Sequence, residues 1–197
     1  MDFIQKRNIV LASGSPRRKA YLDRYSLKFR ILTGSVDEIS QLGEDPVSFA
    51  NRMASEKADA ILNECHADEI VIAADTIVVF DGKILGKPNS QVDIYPMLSV
   101  LNGNKHEVIT SYVIHDCQNN SRIQNKAITE VTFHNLPANI LKIYASSNEP
   151  QDKAGSYSIQ GVGTFLVSSI NGSYNNVVGL PIELLIRDMI ELGYLEF

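Results

Sequence analysis

The chain has 197 residues, a formal net charge of -5 and a pI near 5.4. Apolar residues make up 44% and charged residues 21%, the balance of a globular protein long enough to bury a sizeable core. The acidic balance excludes a dedicated nucleic-acid coat, no run of about 18 apolar residues offers a membrane span, and "MDFIQKRN" lacks the apolar stretch of a secretory leader.

In chain order, the first element is a short strand over Ile9–Ala12, followed by the turn Ser13-Gly14-Ser15. Ser15 and Pro16 predict a helix over Pro16–Arg24, with Ser as N-cap and Pro at the first helical position. A strand is expected over Phe29–Thr33. A long helix follows over Pro46–Cys65, opened by Asp45 and Pro46. "IVIAADTIVVF" predicts a strand over Ile70–Phe80, and "DGKILGKP" after it reads as a loop. A helix over Val92–Leu101 leads into a strand over Glu107–Asp116. "CQNNSR" then turns the chain into a strand over Arg122–Phe133, so the sheet is mixed. The last elements are a helix over Ala138–Ser146, a strand over Phe165–Ile170 and a helix over Pro181–Leu192. The alternation of strands and helices predicts the α/β class, as one domain or a two-lobed one. Cys65 and Cys117 form no CxxC and read as reduced thiols of a cytoplasmic protein.

Three sites conflict with their own secondary structure, which is where function tends to sit. The glycine-bearing turn before the first helix exposes backbone N–H groups, an anion site by construction. Arg17 and Arg18 stand in the first helical turn, where like charge opposes the helix dipole, and their forked donors suit phosphate oxygens. The alternative is that both point to solvent or pair with nearby acids. Asp75 lies inside an otherwise apolar strand, where a carboxylate needs a cation, a metal or a proton. The alternative is a strand end with Asp75 capping a loop, against which the unbroken "IVVF" argues. Lys57 falls on the apolar stripe of the long helix, beside Met53, Ala54 and Ile61. The alternative there is a stem that snorkels to water.

The remaining polar residues crowd into loops. Lys83 and Lys87 lie in "DGKILGKP", where a solvated turn lysine is the alternative. "EPQDKAGSYSIQGVG" carries Glu149, Asp152, Lys153 and Gln160, and long irregular loops of this kind often cover a site. No Walker A loop, GxSxG elbow or HExxH is present. The four histidines are scattered, with His106 and His134 expected at the surface or in turns. Carboxylates, lysines and arginines around a glycine-bearing turn suit phosphate chemistry assisted by a hard divalent ion.

Together, "LASGSPRRKAYL", "ASEKA", "AADTIVVFDGKILGKP", "EPQDKAGSYSIQGVG" and "INGSYNNVVGLP" resemble, in order and across nearly the whole chain, the Maf family of nucleoside triphosphate pyrophosphatases. The resemblance implies a mixed, twisted sheet flanked by helices, similar to the inosine-triphosphatase group, with two lobes and a central cleft. It implies a cytoplasmic homodimer that cleaves the bond between the α and β phosphorus atoms with Mg²⁺ or Mn²⁺. "DKAGSYSIQG" and "GSYNNVVGLP" look like the dTTP/UTP branch. By the same resemblance Asp75 is the proton acceptor, Arg17, Thr76 and Gln160 select substrate, and Lys57 and Lys87 fall in the phosphate region. Glu38 is a metal candidate beside Asp75. Departures are mild: Asn102, Asn139, Ser156 and Ser158 stand where other types are common, and Ser158 is close enough in sequence to Gln160 to affect base preference.

The expected mechanism follows. Ser13, Ser15, Arg17, Arg18, Lys57 and Lys87 hold the phosphates of a nucleoside triphosphate, and a metal bridges phosphate and carboxylate. Asp75 orients the attacking water, and Gln160 meets the uracil or thymine edge with one donor and one acceptor. The competing readings are a 7-methyl-GTP or other purine triphosphate pyrophosphatase, and a nucleotide-binding regulator of septum formation. No stable nucleic-acid partner and no membrane partner are expected.

Overall fold

The computed structural model describes residues 3–197. The strands are β1 (Ile4–Gln5), β2 (Asn8–Leu11), β3 (Phe29–Ile31), β4 (Glu69–Phe80), β5 (Lys83–Leu85), β6 (Lys105–Asp116), β7 (Ser121–Phe133), β8 (Val167–Asn171) and β9 (Leu195–Glu196). The helices are α1 (Pro16–Arg24), α2 (Pro46–Asp59), α3 (Gln91–Leu101), α4 (Ala138–Ala145), α5 (Tyr174–Val178) and α6 (Ile182–Glu191). The main sheet has the order β3-β2-β4-β6-β7-β8, with β5 also on β4. β2 runs parallel to β3 and β4, whereas β4–β5 and β7–β8 are antiparallel. The sheet is therefore mixed, as the sequence predicts.

The chain divides into two compact units. One takes the chain up to Asp75 together with Thr110–Ala127 and Gly179–Phe197, and the other takes Thr76–Ile109 and Ile128–Val178. In the first unit α2 starts as its sequence dictates. The Asp45 carboxylate accepts from the N–H groups of Val47 and Ser48, and Pro46 occupies the first turn. Its stripe of small residues, Ala54 and Ala58, packs with Ile61 against Val10, Val71, Ala73 and Val113. β4 is buried along almost its whole length, the signature of a strand covered on both faces. In the second unit Ile94, Leu98 and Leu101 of α3 meet Val108, Val131, Phe133, Leu141 and Tyr144. α3 is opened by a reciprocal capping box between Ser90 and Asp93, which sets its start one residue before the expected one.

Several expectations are corrected. α2 ends at Asp59 and not at Cys65, with a 3₁₀ turn over Leu62–Glu64; there Arg30 donates to the Glu64 carbonyl and satisfies a backbone group the helix leaves over. "DGKILGKP" is half a hairpin. Asp81 and Gly82 both have positive φ, 49° and 70°, the two-residue turn that matches strand twist. β8 starts at Val167 because Val162–Leu166 forms a 3₁₀ turn. β1, β9 and α5 are too short to show a hydrophobic period. His106 is not at the surface. β6 begins at Lys105, and its exposed-buried alternation turns His106 into the core at 3% exposure. His134 is exposed, as expected.

Candidate functional site

The first unit brings most of the expected residues together. Asp75 lies mid-strand in β4, not at a strand end, and its side chain is 8% exposed. Lys57, in the last turn of α2, continues the stripe of Met53, Ala54 and Ala58. Its stem does not snorkel to water. The ammonium donates to Asp75 Oδ1 at 2.5 Å and to Glu38 Oε1 at 2.6 Å, and the side chain is 19% exposed. One ammonium thus gathers a buried carboxylate and a half-exposed one, 18 and 19 residues away in sequence. Burying Asp75 without that partner would carry a large desolvation cost.

The turn after β2 is built around Ser13. Its hydroxyl accepts from the Ser15 N–H at 3.3 Å and from Arg18 at 3.1 Å. Ser15 occupies the N-cap of α1 but makes no capping bond with its side chain, and no acid stands in the first turn. Arg18 does not reach outward. It donates to the carbonyls of Ala74 and Gly179, both at 2.8 Å. The guanidinium therefore straps α1 to the residue before Asp75 and to the chain entering α6. Burial pulls Arg18 below its ordinary value, and the charges of Asp75 and Glu38 oppose that shift. Arg17 is half-buried. Arg18 thus has a bracing task that the sequence did not reveal.

Thr76, Lys87 and Gln160 belong to the second unit. Thr76 follows Asp75 along β4 and is half-buried, Lys87 is exposed just after β5, and Gln160 is exposed. The Gln160 N–H donates to Ser158 Oγ at 3.3 Å, so the departure at Ser158 shapes the backbone that presents Gln160.

Glu38 and Asp75 are the donor set on which a divalent metal can be tested. No group of three or more His, Cys, Asp and Glu side chains fit to hold an ion is assembled among the described residues. The two carboxylates converge on one ammonium, and their oxygens are hard donors of the kind a divalent cation that keeps part of its water takes. Among the described residues no helix is long and apolar enough to cross a membrane.

A family model described as Maf-like protein matches residues 8–192. The chain belongs to the Maf family. Curated Maf relatives include the dTTP/UTP pyrophosphatase of Desulfotalea psychrophila, 44% identical over 183 residues that cover 92% of this chain and 93% of that protein. The dTTP/UTP pyrophosphatase of Bacillus mycoides is 42% identical over 183 residues, covering 93% and 94%. Among solved structures, a nucleoside-triphosphatase described as a dITP/XTP pyrophosphatase from Mycobacterium abscessus aligns over 94% of both chains, with a TM-score of 0.45 and 12% identity.

Some residues that shape this Maf chain escaped sequence reasoning. Glu149 was visible only as one charge in a loop, yet its carboxylate accepts from the N–H groups of Val162 and Gly163. The spacing of Gly161 and Gly163 was the available signal. Asn176, inside "GSYNNVVGLP", is buried and donates to the Val108 carbonyl and to Thr129 Oγ1. Its signal was a polar side chain in a segment too short to show a face.

Proposed function

We propose that this chain hydrolyses the bond between the α and β phosphorus atoms of dTTP and UTP, giving nucleoside monophosphate and pyrophosphate, in a house-cleaning role on the nucleotide pool. The observation that carries the reading is the buried Asp75 held by Lys57 together with Glu38, in a chain whose relatives of that name match it over nine-tenths of its length. Ser13, Ser15, Arg17, Lys57 and Lys87 bind phosphate oxygens, aided by the N-terminal N–H groups of α1. Arg18 braces that turn and adds positive potential without leaving its carbonyl acceptors. Lys57 fixes the direction of the Asp75 carboxylate, which takes a proton from water as its oxygen attacks the α phosphorus. The bridging oxygen leaves with its electron pair as part of pyrophosphate. Mg²⁺ or Mn²⁺ held by Glu38 and Asp75 would neutralise charge on the phosphates. Gln160 and Thr76 select the base. The same reading carries a cytoplasmic homodimer.

The test is pyrophosphate release from dTTP, UTP, CTP, GTP and 7-methyl-GTP, with and without divalent metal. Wild-type chain should prefer dTTP and UTP. Asp75→Asn should lower kcat by about 10²–10⁴-fold with an unchanged circular dichroism spectrum. A purine preference, or near-normal turnover by Asp75→Asn, refutes the reading.

A further inference from the structure

Gln160 is exposed, so the direction of its amide depends on how firmly its backbone is held. Two side chains hold that backbone on both sides. Tyr144, from α4, accepts from the Ser158 N–H at 3.2 Å and donates to Glu149 Oε1 at 3.4 Å. The Glu149 carboxylate accepts from the Val162 N–H at 2.8 Å and from the Gly163 N–H at 3.3 Å. The same tyrosine–carboxylate pair therefore grips the chain two residues before Gln160 and again two and three residues after it. Thr164 closes the base of the loop, with its hydroxyl 2.7 Å from the carbonyls of Ile159 and Gly161.

The grip is too close for side chains in the loop. A Cβ on Gly161 would overlap the Glu149 carboxylate, and one on Gly163 would overlap the Tyr144 hydroxyl. Glycine at 161 leaves the Glu149 carboxylate its approach, and glycine at 163 leaves room for the Tyr144 hydroxyl and the Ser158 carbonyl. Hydrogen bonds to an ionised acceptor are shorter and stronger than neutral ones. Lys153 donates to the Glu149 carbonyl at 3.0 Å, which places a cation beside the clamp. Burial, and then the neighbouring negative charge of Glu149, push the Tyr144 hydroxyl above its ordinary value, so it remains a donor throughout the neutral range.

We infer that Glu149 and Tyr144 are positioning residues that set base discrimination by clamping the backbone on both sides of Gln160. The inference rests on the pyrimidine-triphosphate reading above and adds to it the residues that make Gln160 selective. A purely structural clamp would lower activity alike on every nucleotide. A positioning clamp acts on the base and leaves phosphate binding alone.

The experiment measures kcat and KM of the full chain for UTP, dTTP, CTP and GTP, and inhibition by inorganic tripolyphosphate, which has no base. The variants are Tyr144→Phe, which keeps the ring and removes both hydroxyl contacts, and Glu149→Gln, which keeps the shape and removes the charge. For each, kcat/KM on UTP and dTTP should fall about 10-fold, mainly through KM, and the preference over CTP and GTP should shrink by a similar factor. Tripolyphosphate inhibition should stay within about 2-fold of wild type, since it reports phosphate binding alone. Equal losses on all four nucleotides, unchanged discrimination, or a parallel loss of tripolyphosphate inhibition overturn the clamp. Tyr144→Phe decides the question alone if Glu149→Gln does not fold. Wild-type chain inactive on UTP and dTTP would instead remove the parent reading, so the two failures are distinguishable.

Discussion

Acid should destabilise the second unit through one buried imidazole. His106 is 3% exposed, edge-on to Phe133 and Tyr157, with Nε2 2.8 Å from the Tyr157 hydroxyl. Its Nδ1 has no hydrogen-bond partner among the described residues. Protonation would bury a charge and create a donor with nowhere to donate, so burial pushes His106 down from 6.5 to about 4. Because the folded value lies below the unfolded one, the unfolded chain binds the extra proton. Stability is complete above the unfolded value and falls as pH drops from about 6.5 towards 4. A difference of about 2.5 units is worth about 3 kcal/mol in full, and about 2 kcal/mol of that is lost by about pH 5. His115, also lowered by burial, acts in the same direction. Carboxylates with lowered values, such as Glu69 and Asp188, lose their contribution mainly at lower pH. The assay is urea unfolding between about pH 7 and 5 for wild type and His106→Gln, which cannot titrate there. The wild type should lose about 2 kcal/mol more than the variant over that range. Equal losses, or the resonance of wild type that is missing from His106→Gln titrating near 6.5, would refute the reasoning.

Two further outcomes concern the candidate site. Lys57→Met leaves the Asp75 carboxylate buried without its cation and should cost about 3 kcal/mol. Combining it with Asp75→Asn should recover about 1–3 kcal/mol relative to the sum of the single changes, and strict additivity in a denaturation double-mutant cycle would show that the ammonium does not stabilise the carboxylate. Arg18→Lys replaces the separate Nε and Nη1 donors, which reach Gly179 on one side and Ala74 and Ser13 on the other, with donors on a single nitrogen that cannot span those positions. It should cost about 2–3 kcal/mol and lower Tm by about 4–10 °C; a thermal melt unchanged from wild type would count against Arg18 as a brace.

What could be read from the chain by itself is what has a local period or breaks one. β4 and β6 were legible as apolar runs buried along most of their length, β7 by alternation at every second residue, and the stripe of α2 by its repeat at every third to fourth. Pro16 and Pro46 marked the starts of α1 and α2 for the same local reason, fixed φ and a missing N–H. Asp75 and Lys57 were legible as offences against those patterns, and the ordered motifs were enough to place the chain in its family. Tertiary structure alone decided the partners. Nothing local says that Lys57 meets Asp75 and Glu38 at once, or that Arg18 binds carbonyls 56 and 161 residues away. Nor does it say that His106 is turned inward by a strand starting two residues early, or that Glu149 and Tyr144 close on Gln160 from both sides. A hydrophobic period records which face of an element is buried. It does not record which polar atoms the packing of distant elements brings within 3 Å, and the chemistry of this site is made of those atoms.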